Sequence, residues 1–277
     1  MEIEMSDGVR IHAETRGDSK NPAVILLHGF PQFSRAWVHE AERLASEGFY
    51  AVAPDMRGYG KSDKPKDVGS YKGERLALDV KEIVSALGKD RVKLVAHDWG
   101  GVVAWMAAAK YPELFEKHVS VNGPHPDQIK RALKSSQKQR NKSWYIFFFQ
   151  VPFLPETFLK TKVAMKMVFG SAKAGAFSQE DLDAYLEQAR TPGAAHAMIN
   201  YYRASARYRA ERLPNVKVPT LVLWGDNDVA LGPDVIRDLD KRVDRLEIEH
   251  FPQASHWVIE DEPDLAHEAI VRFLKPS

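Results

Sequence analysis

The residues with most to say about chemistry lie in the stretch Val95-Ala96-His97-Asp98-Trp99-Gly100-Gly101. A short apolar run from Val92 leads into it, and Val102, Val103, Trp105 and Met106 lead out with the density of a packed helix. A strand that turns sharply into a helix, with small residues around the turn, presents one side chain as a nucleophile elbow does. Here that side chain is the carboxylate of Asp98, where the commoner elbow carries serine. A carboxylate of reference pKa about 3.9 is ionised at neutral pH and needs no base to attack. Serine attacking a saturated carbon would give an inert ether. Asp98 attacking the same carbon would give an ester, which water can cleave at its carbonyl. The competing reading is a buried aspartate that caps the helix starting at Trp99.

Three other stretches carry groups suited to that chemistry. His28-Gly29-Phe30-Pro31 follows the apolar run Ala23 to Leu27, and a glycine-flanked turn there can aim backbone N–H groups at a developing negative charge. The N–H of Trp99, at a helix start, can do the same. Gly225-Asp226-Asn227-Asp228 follows the run Thr220 to Trp224, and His256 lies in Ala254-Ser255-His256-Trp257. With ten histidines in the chain, one so placed proves little alone. Its coincidence with the other loops, in the order nucleophile, acid, histidine, is what counts.

The 277 residues, 44% hydrophobic and 28% charged, suit one large domain or one domain with an insertion. A formal charge of +1 gives no single-sign field, so nucleic acid and acidic substrates are not indicated. The absence of cysteine excludes a disulfide framework, a thiolate metal site and a cysteine nucleophile, and fits the cytosol. Met1 to Gly8 lacks the basic start and apolar core of a signal peptide. The longest dense apolar stretch, Trp144 to Leu154, is interrupted by Gln150 and Pro152 and is shorter than the about 20 residues a membrane span needs. The expectation is a cytoplasmic protein with no membrane span. Its oligomeric state is not legible.

The elements that must position these residues alternate. Ile3 to Ala13 reads as a hairpin around Asp7-Gly8. Ala23 to Leu27, Phe49 to Ala53, Val92 to Val95, Val119 to Val121, Thr220 to Trp224 and Leu246 to Glu249 read as strands. Helical spacing covers Trp37 to Ala45, Leu76 to Leu87, the segment after Asp98, Asp234 to Leu239 and Leu265 to Leu274. Strands alternating with helices imply a parallel sheet covered on both faces. Between Pro124 and Arg212 the alternation stops, and helical patterns such as Asp181 to Ala189 and Ala194 to Arg207 follow one another without strands. This reads as a helical insertion capping the sheet. Gly60-Lys61-Ser62 is not a phosphate loop, because Asp55 stands where its first glycine should be. The basic run from Lys130 to Lys142 reads as a solvated helix face. No metal or cofactor is implied, since neither a ligand cluster nor a dinucleotide fingerprint is present.

Together, His28-Gly29-Phe30-Pro31, Asp55-Met56-Arg57-Gly58-Tyr59-Gly60, His97-Asp98-Trp99-Gly100-Gly101, Gly225-Asp226-Asn227-Asp228 and Ser255-His256-Trp257 resemble the α/β-hydrolase fold family, and within it the soluble epoxide hydrolase branch. The matches span nearly the whole chain. One departure is Ala96, where the general elbow has glycine. The resemblance implies an α/β fold, with a mostly parallel sheet, helices on both faces and a helical cap inserted after the sixth strand. Its core would be residues 1–123 and 211–277, and its cap residues 124–210. It implies Asp98 as nucleophile, His256 as general base and Asp228 as the orienting acid, with Asp226 the nearest competitor. Some relatives place the acid after the preceding strand, where this chain has Asn122, which cannot be an anionic partner. The backbone N–H groups of Phe30 and Trp99 would form the oxyanion hole.

Two leaving groups suit attack at saturated carbon. An epoxide oxygen leaves as an alkoxide and needs a proton donor, whereas a halide needs only weak N–H donors such as the Trp99 indole. In epoxide hydrolases two cap tyrosines point at the epoxide oxygen. Asn200-Tyr201-Tyr202-Arg203 resembles the motif of one, placing it at Tyr202, with Tyr201 the alternative if the register slips. Trp144-Tyr145 resembles the region of the other, placing it at Tyr145. The alternative for both tyrosines is packing in an aromatic-rich cap. Phe147, Phe148, Phe153 and Leu154 suggest an apolar substrate, for which Pro31 and Phe148 are the expected contacts. The implied reaction is addition of water to a small apolar epoxide, giving a vicinal diol. The alternatives are a haloalkane dehalogenase using the same aspartate and, more remotely, a non-catalytic ligand receptor on a hydrolase scaffold. A fluoroacetate-type dehalogenase is disfavoured, because Trp99 stands where a basic residue would hold the substrate carboxylate.

Overall fold

Ala23–Leu27 is buried at every position, as a strand covered by helices on both faces must be. In the computed structural model, which describes residues 1–208 and 212–275, it is β3 of an eight-stranded sheet. The others are β1 (Glu2–Glu4), β2 (Arg10–Arg16), β4 (Tyr50–Pro54), β5 (Val92–His97), β6 (Phe115–Val121), β7 (Thr220–Gly225) and β8 (Leu246–Phe251). Their spatial order is β1-β2-β4-β3-β5-β6-β7-β8. The pairs β1–β2 and β2–β4 are antiparallel, and every other pair is parallel.

The two-residue period of the strands divides the core into two layers. Val24 and Leu26 face a cluster containing Leu44 of α1 (Val38–Ser46) and Ile270 of α12 (Pro263–Leu274). Ile25 and Leu27 face the opposite cluster, with Val80 of α2 (Gly73–Ala86) and Val103 of α3 (Asp98–Lys110). Strand order reverses beside β3, with β4 on one side and β5 on the other. That reversal opens a crevice at the carboxyl ends of β3 and β5, where α/β sheets bind ligands. The turn after β3 begins at His28, and the turn after β5 presents Asp98.

Between β6 and β7 the described residues form helices and no strand. These are α4 (Pro126–Ser135), α5 (Gln137–Lys142), α6 (Trp144–Phe148), α7 (Leu154–Leu159), α8 (Lys162–Phe169), α9 (Gln179–Arg190) and α10 (Ala194–Arg207). The expected end of the insertion at 210 and restart of the core at 211 lie outside the described residues, as does residue 277. The short helix α11 (Val258–Asp261) leads from the His256 loop into α12. One expectation fails. Asp234 to Leu239 is not a helix but part of two separate 3-10 turns, Pro233–Val235 and Leu239–Lys241, with Asp238 between them at φ 57°. A left-handed residue there breaks the helical path that the apolar spacing suggested. Among the described residues, no helix is long and apolar enough to cross a membrane.

Candidate active site

Directly after β5, at the first residue of α3, the backbone of Asp98 takes φ 49°, a left-handed conformation unusual outside glycine. This turn holds the carboxylate clear of the sheet. It is possible because its neighbours lack side chains. A Cβ on Gly29 would lie 2.6 Å from the Asp98 Cβ, and one on Gly100 would lie 2.3 Å from the Leu27 carbonyl oxygen. Ala96, by contrast, is fully buried in β5, so its methyl group is accommodated in the core.

The Phe30 N–H donates to Asp98 Oδ1 at 2.8 Å. Trp99 belongs to the first turn of α3, where backbone N–H groups have no intrahelical acceptor. The loop carrying Phe30 is anchored by the loop after β4: the Met56 N–H donates to His28 Nε2 at 3.0 Å, and the Ser34 N–H donates to Asp55 Oδ1 at 2.9 Å.

His256 stands between two carboxylates. Its Nδ1 is 2.6 Å from Asp228 Oδ2, and its Nε2 is 3.5 Å from Asp98 Oδ2. Burial opposes charge on the ring, but the Asp228 and Asp98 carboxylates outweigh it and raise the His256 pKa to about 10. Burial also works against both aspartates. At Asp98 the opposing groups are His256, His97 and the Phe30 N–H, and the net pKa is below the ordinary value. At Asp228 they are His256, the Leu231 N–H and Asn122, with the same result.

Asp228 is held on every side. Asn122 Nδ2 donates to its Oδ2 at 2.7 Å, and the Ala230 and Leu231 N–H groups donate to its Oδ1 at 2.7 and 2.8 Å. Asp226, the competitor, is exposed and bonds instead to His250 Nδ1 at 2.7 Å. Asn122 also accepts the Gly225 N–H at 2.8 Å, so it locks the Asp228 loop to the end of β6.

Asp98 and His256 open into a cavity of about 300 Å³ walled in part by the inserted helices, among them Tyr145 of α6, Phe148, Phe149 and Tyr202 of α10, and in part by Phe30, Val229 and Trp257 of the core. The Tyr145 and Tyr202 ring centroids are 5.9 Å apart, edge to face, and the Tyr202 ring meets Phe30 at 5.3 Å and Trp99 at 5.0 Å. Burial first, then the negative charge of Asp98, push both phenol pKa values far up, so both hydroxyls keep their protons at neutral pH. The Trp99 indole N–H favours the Tyr202 phenolate but does not outweigh them. Tyr201 is engaged elsewhere: its hydroxyl donates to the Arg57 carbonyl at 2.8 Å in the core.

Phe148 lines this cavity as expected, whereas Pro31 is buried and takes no part in its wall. At this turn it is the Phe30 side chain that occupies the wall. Trp257 and Phe149 supply apolar surface that sequence reasoning passed over. It also missed a set of supports. Lys142 Nζ donates to the Asp228 carbonyl, Gln139 Nε2 donates to the Ala230 carbonyl at 2.8 Å, and Gln139 Oε1 accepts the Gly232 N–H at 2.7 Å. His97 Nε2 lies 3.0 Å from the His256 carbonyl oxygen. Only the place of His97 next to Asp98 gave any local signal.

Comparison with known proteins agrees with this architecture. Residues 22–263 match the profile of the alpha/beta hydrolase fold. The chain is 36% identical over 279 residues to human epoxide hydrolase 4, covering 97% of this chain and 76% of that one. It is 32% identical over 274 residues to the AB hydrolase superfamily protein YfhM of Bacillus subtilis, covering 98% and 96% of the two chains. Among solved structures, an epoxide hydrolase from Bacillus megaterium in complex with an inhibitor superposes with a TM-score of 0.90 at 26% identity, over 99% of both chains. The chain belongs to the α/β-hydrolase fold family and, within it, to the branch that contains the epoxide hydrolases.

Proposed function

We propose that this chain adds water to an apolar epoxide, giving a vicinal diol, through an ester formed on Asp98. The observation that carries the reading is one cavity in which the Asp98 carboxylate faces two protonated phenols across apolar walls. In the first half-reaction Asp98 Oδ2 attacks an epoxide carbon and the carbon–oxygen bond of the ring breaks. The departing oxygen takes a proton from Tyr145 or Tyr202. Since burial disfavours a lasting phenolate, that tyrosine recovers a proton from the charged His256 ring. The negative Asp98 and positive His256 are thereby neutralised together.

Neutral His256 is then the base for the second half-reaction. Its Nε2 takes a proton from water while Nδ1–H stays on Asp228. The hydroxide attacks Asp98 Cγ, and the charge that develops on Oδ1 is received by the N–H groups of Phe30 and Trp99. Collapse of this intermediate expels the diol alkoxide, which takes up the proton of the new Asp98 carboxyl. The resting pair, Asp98 negative and His256 charged, is restored. Helices α4–α10 act as a cap that keeps bulk water from the ester, while Phe148, Phe149 and Trp257 receive the apolar substituent.

A panel of styrene-type oxides, aliphatic epoxides and haloalkanes tests the reading. Diol formation from epoxides that disappears in Asp98→Asn supports it. Halide release by the wild type with no epoxide turnover would favour the dehalogenase chemistry instead.

A further inference from the structure

The inserted segment 124–170 is unlike the rest of the molecule in both charge and surface. It holds nine Lys or Arg against two Asp or Glu, a formal charge of +7 in a chain whose total is +1. Both acids are already paired, Asp127 with Arg242 at 3.1 Å and Glu156 with Arg203 at 2.6 Å. The same segment contributes seven of the twelve large hydrophobic side chains exposed among the described residues. Phe153 is 82% exposed and Phe147 67% exposed. Phe153 is held outward on a left-handed backbone, φ 62°, a conformation costly for an aromatic residue and kept only where something favours it.

These side chains surround the mouth of the cavity. Trp144, Met167 and Val229 line it and are also exposed, so they form its rim. Phe147 lies one helical turn from Trp144 on α6, and Val163 one turn from Met167 on α8. Leu154 lies one turn from the cavity-lining Phe158 on α7. Lys142 lines the cavity, and Lys162 and Lys166 sit on α8 beside Val163 and Met167, so apolar and cationic side chains meet at the rim, a combination that suits an apolar interior beneath negative headgroups. Nucleic acid would meet the charge but leave the aromatic and aliphatic side chains unsatisfied. A second copy of the chain would bring the same positive segment to a symmetric contact and repel it.

We propose that the rim of the cavity, formed by α6, the start of α7 and α8, docks on an anionic phospholipid bilayer. Phe147, Phe153, Leu154 and Val163 enter the headgroup layer while the lysines of the segment meet lipid phosphates. The cavity then opens toward the phase in which an apolar compound concentrates. The docking does not depend on which reaction occurs inside, and its test is read without turnover.

The full chain is floated with vesicles of phosphatidylcholine, alone or mixed with phosphatidylglycerol. Association with the anionic vesicles only is expected, and its loss as salt rises from about 0.1 to 1 M shortens the Debye length from about 10 to 3 Å. Phe147→Ser/Phe153→Ser and, separately, Lys162→Glu/Lys166→Glu should each weaken partitioning by about tenfold or more, with an unchanged thermal midpoint showing that the fold is intact. Three outcomes would overturn the proposal: no flotation with anionic vesicles, flotation unaltered in both variants, or a dimer that the Phe147→Ser/Phe153→Ser change dissolves without any vesicle binding.

Discussion

At the scale of single residues, Asp98, His256, Tyr145 and Tyr202 share one cavity, with the Asp228 carboxylate buried behind His256. In the proposed reaction the hydroxyls of Tyr145 and Tyr202, both lining the cavity, supply the proton to the departing oxygen. Tyr145→Phe and Tyr202→Phe should each lower kcat on epoxides by about 10²-fold, as loss of a positioned general acid does. Tyr201→Phe removes a core hydrogen bond to Arg57 instead, so its effect should appear as about 1 kcal/mol of stability with little change in the ring-opening step. His256 titrates near 10 because two carboxylates face it. Removing one negative neighbour lowers the pKa of a cation, so NMR titration of Asp98→Asn should find the ring losing its proton at lower pH than in the wild type. The ester removes the same charge, and only the neutral ring can activate water. As pH falls, the ring of the alkyl-enzyme becomes protonated, hydrolysis slows, and the fraction of enzyme trapped as ester by acid quench should rise. A trapped fraction that stays constant or falls with acidity would contradict this assignment of the base.

At the scale of elements, the acid loop after β7 is shaped by α5 as much as by the sheet. Gln139 bridges the Ala230 carbonyl and the Gly232 N–H, and the Ala230 N–H in turn holds Asp228. Gln139→Leu leaves those two backbone groups unpaired in a buried setting, so urea unfolding should show a loss of about 1–3 kcal/mol. A midpoint unchanged from wild type would show that water replaces the amide without penalty. This clamp was invisible in the sequence, because nothing local ties position 139 to positions 230 and 232. The sheet strands were legible for the opposite reason. Ala23 to Leu27 is apolar throughout because both its faces are covered, and Gly29 and Gly100 stand where a Cβ would meet the Asp98 side chain and the Leu27 carbonyl. The order of Asp98, Asp228 and His256 carried their likeness to a triad, and Tyr202 was legible through its motif, whereas the bond of Tyr201 to the Arg57 carbonyl had no signal in the sequence. The stretch Asp234 to Leu239 misled because its apolar spacing is helical, while Asp238 adopts a backbone that ends a helix.

At the scale of the whole molecule, the loops after β3 and β5, at the reversal of strand order, bring Phe30 and Asp98 together, and the loop after β8 brings His256 to them. The helices between β6 and β7 supply the phenols and the apolar walls. Neither part forms the cavity alone, which is why a likeness confined to the sheet would leave the leaving group open. The basic run from Lys130 to Lys142, which reads in sequence as a solvated face, gains a second meaning once exposed aromatic residues are found around the cavity mouth. The central claim is that water never touches the epoxide carbon, because Asp98 does. It is tested most directly by a single turnover in heavy-oxygen water, with enzyme in excess over a styrene-type oxide, followed by mass analysis of the diol and of the peptide containing Asp98. The account predicts an unlabelled first diol and a heavy oxygen in the Asp98 carboxylate. A labelled first diol with an unlabelled Asp98 would contradict it.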